Sequence, residues 1–511
     1  MSIGLGLGLG LPYSKVLSDP SIVNTYYVRP SGSTYGTGDG SSYANAWSGF
    51  SNIVWASVEN NILAICGTHL EKLNVGIGNC TIIGNDPNEA GVIDGENTRL
   101  TGAEFNSLDN INFNSLTINN HTDTNLFIRG TSSNIVTNDC VMSGSGDQSI
   151  QHYNTCSVTH NNLTGDSNSD ETLSLHDSSV VIVNGGTFTN CGAAINAVHS
   201  STITVNGNVT YSGNTDDILI NSGDGVETIT ATLNNQTFTS RVLGNTGAVI
   251  NLNNCIVPSL QSQFLTFPAK VTANNSIIEN IIVESGADMY LNSCLITTGV
   301  TISGYCLMND TRCDAKIDLT TSGALLKGRQ SLFYSDANEI LIRFRAGTIC
   351  DLEYCTLYGT DTSANYLLRL DAGVTLTNCN NNTFTSNGGT KSGIISLINI
   401  TISNNIFTNL VTAIVASGGT ITSINSCINN NNTNTSGSVT ETSTVSTSPL
   451  LVDVVNLDFS LGAGSSCIGT GETLTDDEGI DTADWGNGTT TTPIVTTKAQ
   501  GASWDIGAYI S

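Results

Sequence analysis

Arg129, His152, His176 and His199 stand 23, 24 and 23 residues apart, and each closes a similar run: NLFIRG, QSIQHYN, TLSLHDS and INAVHSS. Five of the six histidines fall between positions 121 and 199, so the ionisable chemistry is gathered in one stretch. Asp123, Asp147, Asp170 and Glu171 sit just upstream of these runs, and Asp216 and Asp217 follow one interval further on. Two carboxylates held side by side suit glycoside hydrolysis, their separation deciding inversion or retention. Asp147 and Asp170, with Glu171, are the candidates for that role. A histidine base with Arg129 steadying an enolate-like charge would suit a lyase instead. The third reading is a ladder of polar turn residues, imidazoles stacked and acids solvated. Nothing here matches the catalytic motif of a named enzyme family.

A second cluster lies further along. EILIRFRAG and YLLRLDAG align at an offset of 26, which puts Arg343 over Arg369 and Arg345 over Asp371. Ile342, Phe344 and Leu370 would then face inward, with Tyr354, Tyr358 and Tyr366 nearby. Aromatic faces and guanidinium groups bind sugars, so Arg343, Arg345, Arg369 and Tyr358 join Arg129 and the histidines as candidate substrate-binding residues. Salt bridges between neighbouring repeats are the competing account. The loop LTDDEGIDTADWGNG offers Asp476, Asp477, Glu478, Asp481 and Asp484, oxygens of the kind calcium takes. It lacks EF-hand spacing and reads as a solvated cap loop. Neither a metal nor another cofactor is expected.

Side chains so far apart in sequence need a scaffold that superposes them, and the chain carries one. A recurring slot holds Cys80, Ser115, Cys140, Asn162, Thr187, Asn208, Gln236, Cys255, Ser276 and Cys294, then Ser331, Cys355, Asn382, Asn405 and Cys427. Steps of about two dozen residues are the period of a solenoid. Short β-rich runs such as VVIVNGG, STITVNG and VTLTNC, broken by Gly, Asn or Asp, make three short strands per unit. Units would stack strand on strand at about 4.8 Å, with Asn at a repeated turn forming a side-chain ladder. The predicted fold is an all-β, single-stranded parallel β-helix spanning 67–435, between a cap at 26–66 and a linker and cap at 436–511. Within the last segment SGSVTETSTVSTS reads as a loose linker.

The fourteen cysteines trade places with Asn and Thr in that slot, which marks a repeated position rather than a disulfide framework. They read as free thiols stacked in a core, with Cys306 and Cys313 the one pair spaced to close a small loop. With 16 basic against 43 acidic residues the net charge is −27, which disfavours nucleic acid and anionic membrane surfaces. No apolar run reaches the 18 residues a membrane span requires. Uncharged glycans remain open as partners.

Both ends carry a resemblance. YYVRPSGSTYGTGDGSSYANAWSGF near the start resembles the opening of right-handed parallel β-helix proteins of the pectin-lyase-like superfamily. SPLLVDVVNLDFSLGAGSSCIGTG and WDIGAYIS resemble the closing segments of the same group. The resemblance implies a right-handed coil with capped ends and leaves the chemistry open, because that fold hosts lyases, hydrolases and adhesins. All four tryptophans, at 47, 55, 485 and 504, lie in these end regions, where their bulk suits caps. The opening MSIGLGLGLGLPYSK lacks the basic start and continuous apolar core of an export signal. Its alternation suits a strand adding to a partner's sheet edge, and it resembles particle-attachment peptides of bacteriophage tailspikes and fibres.

That resemblance implies a virion spike or fibre binding host surface polysaccharide, with depolymerase activity open. It would join other virion proteins through residues 1–20, and assemble as a homotrimer. The alternative is a secreted or surface bacterial carbohydrate-active enzyme, located outside the cell. A structural decoration protein of the virion is the third option.

Overall fold

The computed structural model describes residues 23–221, 228–263, 268–336, 339–360, 365–388, 391–474 and 504–509, and the backbone of 480–484 and 494–498. Through them runs a parallel β-helix. Strand Ser157–Asp166 pairs in parallel with Val180–Thr189, and that strand pairs with Thr202–Ser212. Each long strand bends once and so serves two faces of the coil. A shorter strand, such as Glu171–Leu175 or Ala193–Val198, forms the third face.

One apolar column shows how register is held. Ile135, Val158, Val181, Ile203, Ala231, Ile250, Val271, Met289, Cys306, Leu326 and Cys350 face one another in successive coils. All are buried. A slip of one residue would turn every such side chain out to water, and burying each Ile, Val, Leu or Met among them is worth about 1.5–3 kcal/mol.

The bend between the first two faces explains the richness in asparagine. It uses a left-handed residue, with φ between 46° and 58° at Asn79, Asp139, Asn162, Asn235, Asn254, Asn275, Asn381, Asn404 and Asn425. Asn and Asp visit that region most readily among residues with a Cβ, and glycine does so freely; Gly185 and Gly207 supply it at 75° and 71°. The next residue turns inward at most coils, but not after Gly185 and Gly207. There the expected slot residues Thr187 and Asn208 stay half-buried and exposed while Phe188 and Val209 turn in. In the inward slot Cys140, Gln236, Cys255, Ser276, Cys294, Thr311, Ser331, Cys355, Asn382, Asn405 and Ser426 are all buried.

Their polar atoms satisfy backbone groups of adjacent coils. The N–H groups of Cys355 and Asn382 donate to Oδ1 of Asn382 and Asn405, each at 2.8 Å. That of Cys255 donates to Ser276 Oγ at 3.1 Å. A small side chain with an acceptor or a thiol fits, which is why Cys, Ser, Thr and Asn interchange. Ser115 and Asn162 themselves hold the left-handed position (φ 51° and 58°), and Ser426 rather than Cys427 fills the inward slot. The expected positions are therefore one residue out of step at those coils.

The expected side-chain ladder is present. Asn114, Asn138, Asn161, Asn184, Asn206, Asn234, Asn253, Asn274 and Asn292 form one file, each Nδ2 donating to the preceding Oδ1 at 2.6–3.3 Å.

Two boundaries differ from the sequence reading. Thr25–Arg29 pairs in parallel with Ile62–Ile65, so the segment taken as a cap already forms the first coil. Trp47 seals it, 2% exposed and stacked on Tyr26 at 5.6 Å. SGSVTETSTVSTS does not begin as a loose linker, because Thr433–Thr442 pairs in parallel with Thr412–Ile424 as a last coil. Cys306 and Cys313 are both free and buried, as are all fourteen cysteines. They sit on different faces, and alternation points both into the core. Beyond the last coil, Phe459 packs against Tyr358 and Tyr509 while Ile506 joins Ile406, Cys427 and Cys467. The chain end is thereby clamped to the rod. Among the described residues no helix is long and apolar enough to cross a membrane.

Candidate functional site

The third face carries the cluster, on strands Thr124–Arg129, Ile150–His152, Glu171–Leu175 and Ala193–Val198. The turns entering them stack Asp123, Asp147 and Asp170. The Asp147 N–H donates to Asp123 O at 3.2 Å and the Asp170 N–H to Asp147 O at 3.4 Å. Partial burial, then Asp170, then Asp123, raise the Asp147 carboxyl above its ordinary value. Glu171 begins the next strand and is 6% exposed. Its Oε1 accepts from Asn196 Nδ2 at 2.8 Å, while its Oε2 is buried without a partner. Burial raises the Glu171 carboxyl, Asn196 opposes the shift, and Asp170 adds to it. The three candidate catalytic carboxylates thus share one region on consecutive coils.

The proposed basic column is only partly assembled. Ile128 faces His152, and His152 faces Leu175, so alternation drives His152 into the core, where it is 0% exposed. The surface place falls to Tyr153. Its ring lies flat on His176, centroids 4.2 Å apart and planes 4° apart, and meets Phe127 edge-on at 5.4 Å. His199 continues the file 6.1 Å from His176. Burial, and then His199, keep the His176 imidazole below its ordinary value. Arg129 is at the other end, ion-paired to Glu104 with Lys72 on the same carboxylate. A half-buried aromatic strip, Phe127–Tyr153–His176, therefore lies beside a carboxylate column.

Inside, His152 forms a second centre that sequence spacing did not indicate. Its Nδ1 lies 3.3 Å from Ser174 O and must carry the proton, because a carbonyl only accepts. Its Nε2 therefore accepts from His160 Nε2 at 3.0 Å, and His160 Nδ1 accepts from the Thr137 hydroxyl at 2.7 Å. Both rings are neutral in this arrangement. Burial holds His152 down to about 4 and His160 well below its ordinary value. This pair is structural, being closed off from solvent.

Asp216 and Asp217 are committed elsewhere. Arg241 donates Nε and Nη2 to Asp216 at 2.6 and 3.1 Å, and Asp217 accepts the Thr239 and Ser240 N–H groups at 2.6 and 2.8 Å.

The second cluster has the anticipated register, Arg343 facing Arg369, with Ile342, Phe344 and Leu370 buried. Its charges are satisfied within the rod. Asp371 takes Arg343 at 2.7 Å and Arg369 at 2.7 Å, and Asp318 takes Arg345 at 2.7 Å. Tyr358 offers no sugar platform, being 1% exposed under Phe459 at 5.2 Å. The acidic loop considered for calcium lies largely outside the described residues, as does the 1–20 segment.

No family model matches the chain. No curated protein matches it either. Among solved structures it is similar to the crystal structure of pectate lyase Pel9A, at 12% identity and a TM-score of 0.24, over 95% of this chain and 96% of that one. At that score the match adds nothing to the fold, which rests on the strand pairings themselves.

Proposed function

We propose that the protein is a polysaccharide-binding β-helix whose third face holds an extended glycan and cuts it by carboxylate chemistry. The observation that carries this reading is the half-buried strip of Tyr153 stacked on His176, beside the Asp123–Asp147–Asp170 column and Glu171. An aromatic platform takes a sugar ring's apolar face, and a raised carboxyl is the form a general acid needs. One coil step of about 4.8 Å lies near the about 5–5.5 Å separation of retaining carboxylate pairs. Asp147 then serves as acid and Asp170 as nucleophile, with Glu171 beside them. The lyase reading loses one of its candidate bases, because His152 is sealed in the core.

In biological setting, the reading is a virion spike or fibre meeting a host surface polysaccharide, attached through residues 1–20 and trimeric. A secreted or surface bacterial enzyme is the alternative, and the same face serves both. The test is incubation with capsule and lipopolysaccharide preparations, followed by sizing of the sugar and NMR of the new anomer. Cleavage with retention, lowered about 10²–10⁴-fold in D147N and in D170N, supports the mechanism. Cleavage unaffected by both substitutions removes it.

A further inference from the structure

We propose that Cys427 and Cys467 form a redox-controlled disulfide that locks the end segment onto the last turns of the rod. The inference is independent of what the third face binds.

These two thiols depart from the pattern of the other cysteines. Cys255 and Cys294, which fill the inward slot, lie in the central core and donate to Leu233 O and Ala273 O, each at 3.3 Å. At the coil of Cys427 the slot is already taken by Ser426. Cys427 instead faces Ile406 in the neighbouring strand, while Ile428 faces Phe407 and those two fill the core. Strand alternation therefore sends the Cys427 side chain to the outer side of the wall. Cys467 belongs to no coil and lies beyond Asp458–Leu461.

The outer side of the wall is where the end segment lands. Cys427, Cys467, Ile406 and Ile506 make one buried cluster separate from the main core, and both cysteines are 0% exposed. The Ile506 N–H donates to Cys467 O at 2.9 Å, which fixes that stretch of backbone. Within the cluster the two thiols share a hydrogen bond. That bond, and then burial, drive the Cys427 thiol up. The same bond holds Cys467 below its ordinary value, against burial. By contrast, burial pushes the core thiols Cys313 and Cys379 up to about 12. The pair thus joins a sulfur that keeps its proton to one favoured as thiolate, the form that attacks a disulfide.

The oxidant is a small-molecule disulfide of the glutathione class. The Cys467 thiolate attacks one of its sulfurs, forming a mixed disulfide and expelling one thiolate, which takes the proton of Cys427. Cys427 then attacks Cys467 Sγ and expels the second thiolate, which takes up the proton that Cys467 had released. Two protein thiols are oxidised by two electrons and the small disulfide is reduced to two thiols. Because both cysteines are buried, the first attack waits on lifting of the end segment. The new bond spans forty positions and encloses the coil strand Thr433–Thr442 and the antiparallel pair Leu451–Asp453 and Asp458–Leu461. A link across so long a loop restricts the unfolded segment strongly. A chain folded in reducing surroundings would close non-covalently, and oxidising surroundings would make the closure permanent.

The experiment reduces the full chain with dithiothreitol, then incubates it natively with excess oxidised glutathione. The expected product is lighter by about 2 Da, the two hydrogens of a two-electron oxidation. Its non-reducing peptide map joins Cys427 to Cys467. Limited proteolysis after the last coil should be about tenfold slower, or more, than in the reduced protein, and dithiothreitol should restore the original rate. Cys427→Ser should stop at a glutathione adduct on Cys467, whereas Cys467→Ser should leave Cys427 free, circular dichroism confirming that both variants fold. A map of the unsubstituted chain without the Cys427–Cys467 link overturns the proposal. So does a link from either residue to another cysteine, or equal proteolysis of the linked and reduced forms.

Discussion

The interior His152–His160 pair makes acid sensitivity calculable. Each ring must stay neutral, because protonating His152 Nε2 or His160 Nδ1 replaces an acceptor with a second donor facing a donor. His152 is held at about 4 against an ordinary 6.5. As pH falls below 6.5, the unfolded chain takes up that proton and the folded chain does not, so stability is lost until the pH reaches about 4. Linkage gives a loss of about 2 kcal/mol from His152 between neutral pH and about pH 5. His160, held well below its ordinary value by burial and then by His152, acts in the same direction, and His69, also held at about 4 by burial, adds an amount similar to that of His152. Asp147 and Glu171 oppose the trend, since the folded state binds their protons more tightly. The perturbation is His152→Gln, which keeps a polar side chain but cannot titrate. Urea unfolding followed by circular dichroism at neutral pH and near pH 5 should show a pH-dependent loss smaller by about 2 kcal/mol in the variant. Equal losses in the two proteins would refute the reasoning.

Other consequences follow from the inward slot and the clamp. Asn382→Ala removes the acceptor for the Cys355 N–H and the donor to Leu352 O at 3.1 Å, so urea unfolding should show a loss of about 1–3 kcal/mol. Asn382→Ser should recover part of that, since Ser holds the equivalent slot at 276 and 331. Phe459→Ala empties the contact between Tyr358 and Tyr509 and should cost about 3–5 kcal/mol. Limited proteolysis should then cut first after the last coil. A thiol reagent at neutral pH should leave the buried cysteines of the rod unmodified until denaturant is added, because burial pushes groups such as Cys66, Cys294 and Cys355 up to about 12. Rapid modification of the native protein would show that the core opens.

The solenoid was legible because its period recurs in turn residues, and Asn next to a small polar residue marks a left-handed bend followed by an inward slot. Its phase was harder to read. Cys427 stands one place beyond Ser426, and only the backbone angle at Asn425 distinguishes them. The histidine column failed for the same reason. Matching imidazole to imidazole sets His152 beside His176, whereas matching Ile150 to Leu173 sets His152 on Leu175 and Tyr153 on His176. The apolar alternation, Ile150 against Leu173, sets the phase, and the spacing of the rarer imidazoles does not. The burial of Tyr358 has another cause: its cover comes from Phe459 and Tyr509, about 100 and 150 positions away, which no local pattern reports. The arginine cluster illustrates success, since the offset between EILIRFRAG and YLLRLDAG fixed a register that the strands adopt.

Because every rung rests only on the one before and the one after, the rod's length is not fixed by its core. Residues 180–201 span one turn, from Val180 to the position before Thr202, and both Val180 and Thr202 occupy equivalent sites above Ser157. Excising such a segment would splice Ser179 to Thr202 with inward and outward sides preserved. A lineage can therefore gain or lose turns wholesale, resetting how far the aromatic strip extends without redesigning either end.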